Sequence, residues 1–479
     1  MMMTRSLVED VDFFLENNGG VLGRGTVRGV NGHLISVYGI GLPMLLAPFY
    51  RVGGIFGSIM LSNIVSALTN VYIFKISKRY LQNNPLALLV TLIFGFASPM
   101  LVYSVQLYTE IYMAFIVVFV TYSLLFKKWS PRNLFLSGLC IGYAPLLKYT
   151  YTLILVVVSL YVFYTCLKEK VLKEFFYFAL PVGGWFFILL LYQYVALGNL
   201  VATTNEFAVS WAFPMSMIGG AIGLLVDGEH GLFIYAPVVY LSLFGMHQLL
   251  KEKRDVYFVL GIFCSYWILM SAWVDWPGGW CYSARHLIPV LSLLCAPFSF
   301  AMREYGKKKW FKAILTLLTI IGLTINVLAV YWRSSWGGFL MWKIGNYLNL
   351  KFNLLDILPK LTYRDTLFPA RGMFSPSYDW ILITFWIFVL PVIIFLRSKH
   401  EKLAYMRKNF VFWIFLFFLL ICNLTLFISD VLHVFPSEEQ NVYLSNVFLE
   451  IGLALLLGIF LFYLKSRRII GRVINLGGM

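Results

Sequence analysis

Four short stretches of this 479-residue chain hold the side chains able to do chemistry. QLYTEIYM places Glu110 between Tyr108 and Tyr112 at the start of an apolar run, and GYAPLLKYTYT sets Lys148 inside another. WVDWPGGWCYSARHL (273–287) carries Trp273, Trp276 and Trp280, a Gly278–Gly279 turn, and then Arg285 and His286. LVDGEHGLFIYAP (225–237) brings Asp227, Glu229 and His230 close together. An ionisable residue at membrane depth is a functional candidate by default; the other reading of Glu110 is a carboxylate that reaches headgroup water. Lys148 is placed to hold a phosphate as a point charge, or else to snorkel. Arg285 opens a helix, where backbone N–H groups favour anions, and a guanidinium grips phosphate with two parallel hydrogen bonds. The alternative there is an aromatic belt with a headgroup-binding arginine. The D-x-E-H spacing matches no specific metal motif, so a solvated turn is expected, with a divalent ion as the second reading.

The elements that must position these residues are set by composition. The chain is 60% hydrophobic and 13% charged, against roughly 25% charged in ordinary domains, which excludes a soluble globular protein. Apolar runs recur at the length of about 17–23 residues needed to cross the hydrocarbon layer. Lipid offers the backbone no partners, so these runs must be helices, and the fold class is all-α, polytopic membrane. About 13 spans are expected, near 55–74, 86–103, 108–126, 134–147, 150–167, 175–197, 231–250, 256–273, 285–302, 311–331, 379–396, 410–430 and 444–464. The fourth is too short to cross alone and contains Gly142 and Pro145, so it is expected to run on as a broken element toward the fifth. Residues 31–50, broken by Gly39, Gly41, Pro43 and Pro48, suit a short interfacial helix that feeds the span at 55–74.

The net charge of +16 would suit a nucleic-acid partner, but its placement argues for topology signals instead. Lys75, Lys78 and Arg79; Lys127, Lys128 and Arg132; Lys168, Lys170 and Lys173; and Lys251, Lys253 and Arg254 fall on one side. Arg303 with Lys307–Lys309 and Lys312, the 397–408 group, and Lys465, Arg467, Arg468 and Arg472 fall on the same side. Together these connections hold 26 of the 38 basic residues, and the positive-inside rule assigns them to the cytoplasm. The long connections 1–54, 198–230, 274–284, 332–378 and 431–443 then face out, and the C-terminus lies inside. The division is an outer first loop with its interfacial helix (1–54), a transmembrane core (55–331), an outer loop (332–378) and C-terminal helices (379–479). The 332–378 loop, with WRSSWGGF and KLTYRD, reads as an aromatic and basic lid. The six cysteines read as small core hydrophobes apart from Cys281, which lies in a loop and alone builds no disulfide framework. GVLGRGTVRG lacks the G-x-G-x-x-G spacing and no Walker A lysine is present, so no nucleotide cofactor is expected.

An outer 1–54 segment carrying Arg5, Arg24, Arg28 and Arg51 is a poor candidate for unaided translocation. The expectation is that a further membrane helix precedes Met1. The alternatives are that the tail crosses by itself, or rests inside with one span misassigned.

The motifs in their order resemble the GT-C membrane glycosyltransferases. The run is HLISVYGIGLPMLLAPFYRVGG, the Glu of QLYTEIYM, the Lys of GLCIGYAPLLKYTYT, GLFIYAPVVYLSLFG and WPGGWCYSARHLIPVL. The similarity is to the bacterial and archaeal branch related to protein mannosyltransferases and lipid A aminoarabinose transferases, and it spans most of residues 4–300. It implies transfer of a sugar from a polyprenyl-phosphate carrier to a lipid, glycan or protein acceptor, outside the plasma membrane of a prokaryote. It implies a donor phosphate neutralised by Lys148 and Arg285, and a second acidic site at Glu110 near the donor or a divalent metal, with Asp227 as another candidate ligand. Tyr38, Asp275 and His286 join the expected substrate-binding set, and Tyr38 with the Gly41/Pro43 turn matches the re-entry of the first outer loop. In this family the catalytic aspartate lies in a short string of the first outer loop. TRSLVEDVDFFLENN resembles the residues directly after that string, and Asp10 and Asp12 do not match the base position. The resemblance therefore implies that the chain as it stands lacks that base and is inactive. The rival classes are a lipid-linked sugar flippase or transporter, against which no internal repeat is seen, and a non-catalytic carrier-binding relative.

The topology makes a direct prediction. Tags placed in the Trp276 turn and in the Lys307 turn should answer to a membrane-impermeant reagent from opposite sides; a shared compartment contradicts the orientation.

Overall fold

The computed structural model describes residues 1–20, 25–198, 214–251, 253–273, 275–279, 281–332 and 340. All fall within one compact unit, Met1–Lys351. The expected spans at 379–396, 410–430 and 444–464, most of the 332–378 loop, Trp280 and Cys422 lie outside the described residues.

The N-terminal segment begins with helix α1 (Met2–Glu9). A short antiparallel pair comes next, β1 (Thr26–Arg28) with β2 (Leu34–Ser36), in the register Val27 opposite Ile35. The fold is thus mostly helical rather than strictly all-α, since this stretch outside the long apolar runs satisfies its backbone in a hairpin. Helix α2 (Gly41–Leu81) contains a break at Gly53 and Gly54, whose dihedrals leave the helical region. Gly41 and Pro43 lie in its first turn, not in a turn of the re-entry type expected. The reason is a close approach: a Cβ on Gly41 would stand 2.6 Å from the backbone carbon of Leu146. The Tyr143 hydroxyl also donates to the Gly41 carbonyl at 2.7 Å. The start of α2 is thereby fastened to the joint that carries Lys148.

Prolines explain where the next elements depart from single spans. Helix α3 (Asn84–Phe96) is capped by the Asn83 side chain and ends before Ser98–Pro99; α4 (Met100–Ser104) resumes beyond. The expected span 86–103 is therefore interrupted, as a residue preceding proline is pushed out of the helical region. Helix α5 (Thr109–Phe126) is continuous. Then α6 (Pro131–Gly142) and α7 (Ala144–Leu147) form the broken element, and α8 (Thr152–Lys168) comes after an extended Lys148. Helix α9 (Leu172–Leu197) packs on α6. The connection 198–230 holds a helix of its own, α10 (Pro214–Val226). The expected span 231–250 is instead α11 (Leu232–Tyr235), a 3-10 turn at Pro237–Leu241 and α12 (Ser242–Leu249). Pro237 again forces the break, with Ala236 at φ −137°, ψ 59°.

Helix α13 (Lys253–Ser271) packs on α8 and α10. The stretch Arg285–Tyr305 combines two 3-10 turns with α14 (Ile288–Leu291) and α15 (Cys295–Tyr305), and is almost wholly buried. Helix α16 (Lys309–Tyr331) closes the described core. Six helical stretches among the described residues are long and apolar enough to cross a membrane: Gly41–Leu81, Thr109–Phe126, Tyr149–Lys168, Leu172–Leu197, Arg285–Tyr305 and Lys309–Tyr331. Their outer faces expose large apolar side chains such as Phe176, Leu180, Phe187, Ile320 and Val327. Water would penalise such surfaces and lipid would not.

One buried polar junction fixes the segment leading to Arg285. Asn326 of α16 accepts from the Tyr282 hydroxyl at 3.0 Å and donates to the Tyr235 carbonyl at 2.7 Å. Tyr282 stands in the segment that bears Cys281 and Arg285, and its ring meets Tyr235 edge-on at 4.9 Å. Asn326→Leu strands both partners in an apolar surround, at about 1–3 kcal/mol for each unpaired group. A lower melting temperature in detergent is expected for the purified variant; a native-like one would contradict this account of the junction.

Candidate functional site

Glu110, Lys148 and Arg285 come from three separate elements and meet. Glu110 occupies the first turn of α5, Lys148 the extended joint before α8, and Arg285 the opening turn of the 285–305 stretch. All three elements start at the site and run toward basic ends, Lys127, Lys168 and Arg303 respectively. Arg303 there donates to the Tyr80 carbonyl beyond Lys78 and Arg79, bringing two of the basic clusters to one end of the core.

The Glu110 side chain is 2% exposed and its Oε1 lies 3.8 Å from Lys148 Nζ and 3.5 Å from Arg285 Nε. A buried carboxylate needs compensation, and the two cations supply it. Lys148 is thus an ion-pair partner drawn into the protein and not a snorkelling side chain; its ammonium also lies 5.3 Å from the Trp273 ring centroid. The Thr109 hydroxyl donates to Glu110 Oε2 at 3.3 Å, so the contact between Thr109 Oγ1 and the Tyr151 hydroxyl at 3.2 Å runs with Tyr151 as donor. Two cations therefore converge on a single buried carboxylate, and the cluster retains capacity for an anion.

His286 is fully buried and its state is decided by its partners. An ammonium can only donate, so at 3.3 Å Lys148 makes Nδ1 an acceptor, and the ring proton resides on Nε2. Nε2 then donates to the Asp275 carbonyl at 3.2 Å. The neutral imidazole links the lysine to the 275–279 turn. Gly278 and Gly279 both have positive φ, 80° and 66°, which the turn requires. The Gly279 N–H donates to Asp275 Oδ1 at 3.1 Å. Asp275 is exposed to solvent on one side. Its immediate neighbours partly desolvate the carboxyl and raise its pKa, an effect that Arg285, the Gly279 N–H and Lys148 oppose.

The other expected residues fall differently. Trp273 packs against the His286 ring at 5.0 Å and Trp276 is buried over Gly223, so these two are site walls rather than belt anchors. The 225–230 turn is buried, not solvated: Asp227 accepts the Glu229 and His230 N–H groups, and His230 Nε2 lies 3.1 Å from the Gly279 carbonyl. The turn braces the Asp275–Gly279 loop from behind. Tyr38 is 69% exposed, with its backbone N–H on Ser36 Oγ and its ring against Gly25, apart from the cluster. Sequence reading assigned no role at the site to Cys281, which accepts from Arg285 Nη1 at 2.8 Å and lies 3.7 Å from the Tyr108 hydroxyl. The four-residue spacing to Arg285 was the available signal.

The donor set does not fit a divalent ion. Glu110 is already claimed by two cations, and Asp227 by the N–H groups of its own turn. Among the described residues no three His, Cys, Asp or Glu side chains converge as ligands.

No family model matches the chain, and no curated protein matches it. Among solved structures it is similar to ArnT from Cupriavidus metallidurans in the apo state, at 12% identity and TM-score 0.43, covering 95% of this chain and 70% of that one. It is similar to the same protein bound to undecaprenyl phosphate at 13% identity and TM-score 0.43, with 95% and 71% covered. A TM-score of 0.43 is too low to establish a shared fold, so the chemistry of the cluster rests on its own geometry.

Glu110→Gln leaves two cations facing each other without a counter-charge, at about 3 kcal/mol or more. Thermal unfolding in detergent should show that loss, and Glu110→Gln with Lys148→Met should recover part of it; equal stability of the single variant and wild type contradicts the ion-pair account.

Proposed function

We propose that this chain is an integral membrane glycosyltransferase that takes a sugar from a polyprenyl-phosphate carrier and transfers it, with inversion, to an extracytoplasmic lipid, glycan or protein acceptor. The observation that carries the reading is the convergence of Lys148 and Arg285 on one buried carboxylate, at the end of the core opposite the basic clusters. A carrier phosphodiester brings a single negative charge, and Lys148 and Arg285 together outnumber the one buried carboxylate on which they converge. Arginine offers it a fork and lysine a point charge. The exposed apolar faces of the long helices suit a lipid-borne isoprenoid tail.

In the reaction, the bond from the anomeric carbon to the phosphate oxygen breaks and its electron pair leaves with the carrier. Charge accumulates on that phosphate, and Lys148 and Arg285 stabilise it more strongly in the transition state than in the ground state. His286 holds Lys148 in place through Nδ1 and Trp273 covers the imidazole. Glu110 orients both cations and is not free to take a proton. That last point favours a second reading, carrier capture without turnover, which release of free carrier distinguishes from catalysis. Nucleic acid has no place in either reading. The setting proposed is a prokaryotic plasma membrane, with the site facing out and the C-terminus inside.

The test is binding of undecaprenyl phosphate to the purified full chain. Arg285→Lys and Lys148→Met should each weaken it roughly tenfold to a hundredfold, from the loss of charge-assisted hydrogen bonds worth about 1.5–3 kcal/mol. Unchanged affinity in both variants, or no binding by wild type, contradicts the reading.

A further inference from the structure

Glycosyl transfer at this cluster needs a proton acceptor for the incoming hydroxyl, and Glu110 cannot serve because two cations occupy it. The remaining carboxylates among the described residues divide clearly. In the N-terminal segment, Glu9 pairs with Arg5, Asp10 accepts from Asn18, Asp12 caps the Phe14 N–H, and Glu16 holds His33 and the Leu34 N–H. Asp227 is fully buried and tied within its own turn, and Glu229 is half-buried in that same turn with its N–H on Asp227 Oδ2. Glu169, Glu174 and Glu304 lie with the basic ends of the helices. Asp275 differs from all of these. It is exposed to solvent, it stands at the rim of the cluster, and its position is fixed twice: Oδ1 by the Gly279 N–H at 3.1 Å and its carbonyl by His286 Nε2 at 3.2 Å.

Resting on the glycosyl-transfer reading, we propose that Asp275 is the general base that activates the acceptor hydroxyl. The chain of contacts from its carbonyl through His286 to Lys148 sets the carboxylate at a fixed offset from the cation that receives the donor phosphate. Asp275 is exposed where Glu110 is buried, so an acceptor hydroxyl can reach its carboxylate from solvent.

The step balances. The acceptor O–H bond breaks as its oxygen bonds to the anomeric carbon, and Asp275 takes the proton. The carbon–oxygen bond to phosphate breaks with its electron pair, and the carrier leaves as a phosphate monoester paired with Lys148 and Arg285. Asp275 returns the proton to water once the product departs. The direction of its pKa supports the role, since a carboxyl raised by partial desolvation is a stronger base. The charged and titratable groups around it are Arg285, Lys148 and His230, with His286 on its backbone. Of these, His286 is held neutral by its contacts and Lys148 and Arg285 by theirs as cations.

The experiment uses the full chain in detergent with synthetic undecaprenyl-phosphate monosaccharides, reading release of undecaprenyl phosphate by mass spectrometry and binding of undecaprenyl phosphate alone in parallel. Asp275→Asn should release carrier at least about a hundredfold more slowly, within the usual range for a lost general base, while binding it within about twofold of wild type. Asp275→Glu should restore part of the rate, and the acidic limb of the wild-type pH–rate profile should vanish in Asp275→Asn. Release by Asp275→Asn within about threefold of wild type overturns the proposal, as does carrier binding lost to the same extent as release. If wild type binds carrier but releases none from any donor, the base assignment fails and carrier capture survives. If wild type does not bind carrier at all, the parent reading fails with it.

Discussion

A buried carboxylate between two cations organises this protein. The buried Glu110 carboxylate is compensated by Lys148 and Arg285, and both cations are drawn into the protein beside it. The ion cluster therefore constrains three elements at once: the start of α5, the broken joint between α7 and α8, and the opening of the buried 285–305 stretch. Much of the surrounding architecture serves to make that meeting possible. Gly41 lets α2 press on the joint at Leu146, and the Tyr143 hydroxyl holds it there. Asn326 and Tyr282 anchor the segment that delivers Arg285.

The breaks in the helices matter as much as the helices. Helix α6 ends at Gly142, and α7, with Pro145 in its first turn, ends at Leu147, so that Lys148 takes an extended conformation. Unbroken, that stretch would carry the lysine around the helix face by the ordinary helical rotation. Pro237 and Pro99 interrupt two further runs, and each interruption frees backbone that only protein or a polar pocket can satisfy at membrane depth.

How far the sequence discloses this depends on the range of the interaction. Length and hydropathy reveal α5, α8, α9 and α16 almost to their ends, because a crossing helix obeys a local rule. Charge phase identifies which helix ends belong together, and the meeting of Arg303 with Tyr80 beside Lys78 and Arg79 agrees with it. Residue type alone singles out Glu110, Lys148 and Arg285, since charges at that depth are rare. Their mutual contact is invisible locally, as is the neutral state of His286, which depends on a lysine from another helix. Trp273 and Trp276 mislead for the same reason: tryptophan at a helix end ordinarily marks a lipid interface, and here the chain turns both inward. The Asp227 turn misleads in the opposite sense, since a polar string that looks solvated is buried behind the site loop. Proline positions would have revealed the broken runs at 86–103 and 231–250 had apolar length not outweighed them.

The central claim is that an anionic carrier phosphate enters at the Glu110–Lys148–Arg285 cluster. The most direct test is photolabelling of the full chain in bilayers with a polyprenyl phosphate bearing a diazirine on the isoprene unit nearest the phosphate. The account predicts labelled peptides from 105–113, 143–152 and 281–288, with excess unlabelled undecaprenyl phosphate abolishing them. Label confined to the basic helix ends around Lys78, Lys127 and Arg303 would contradict it.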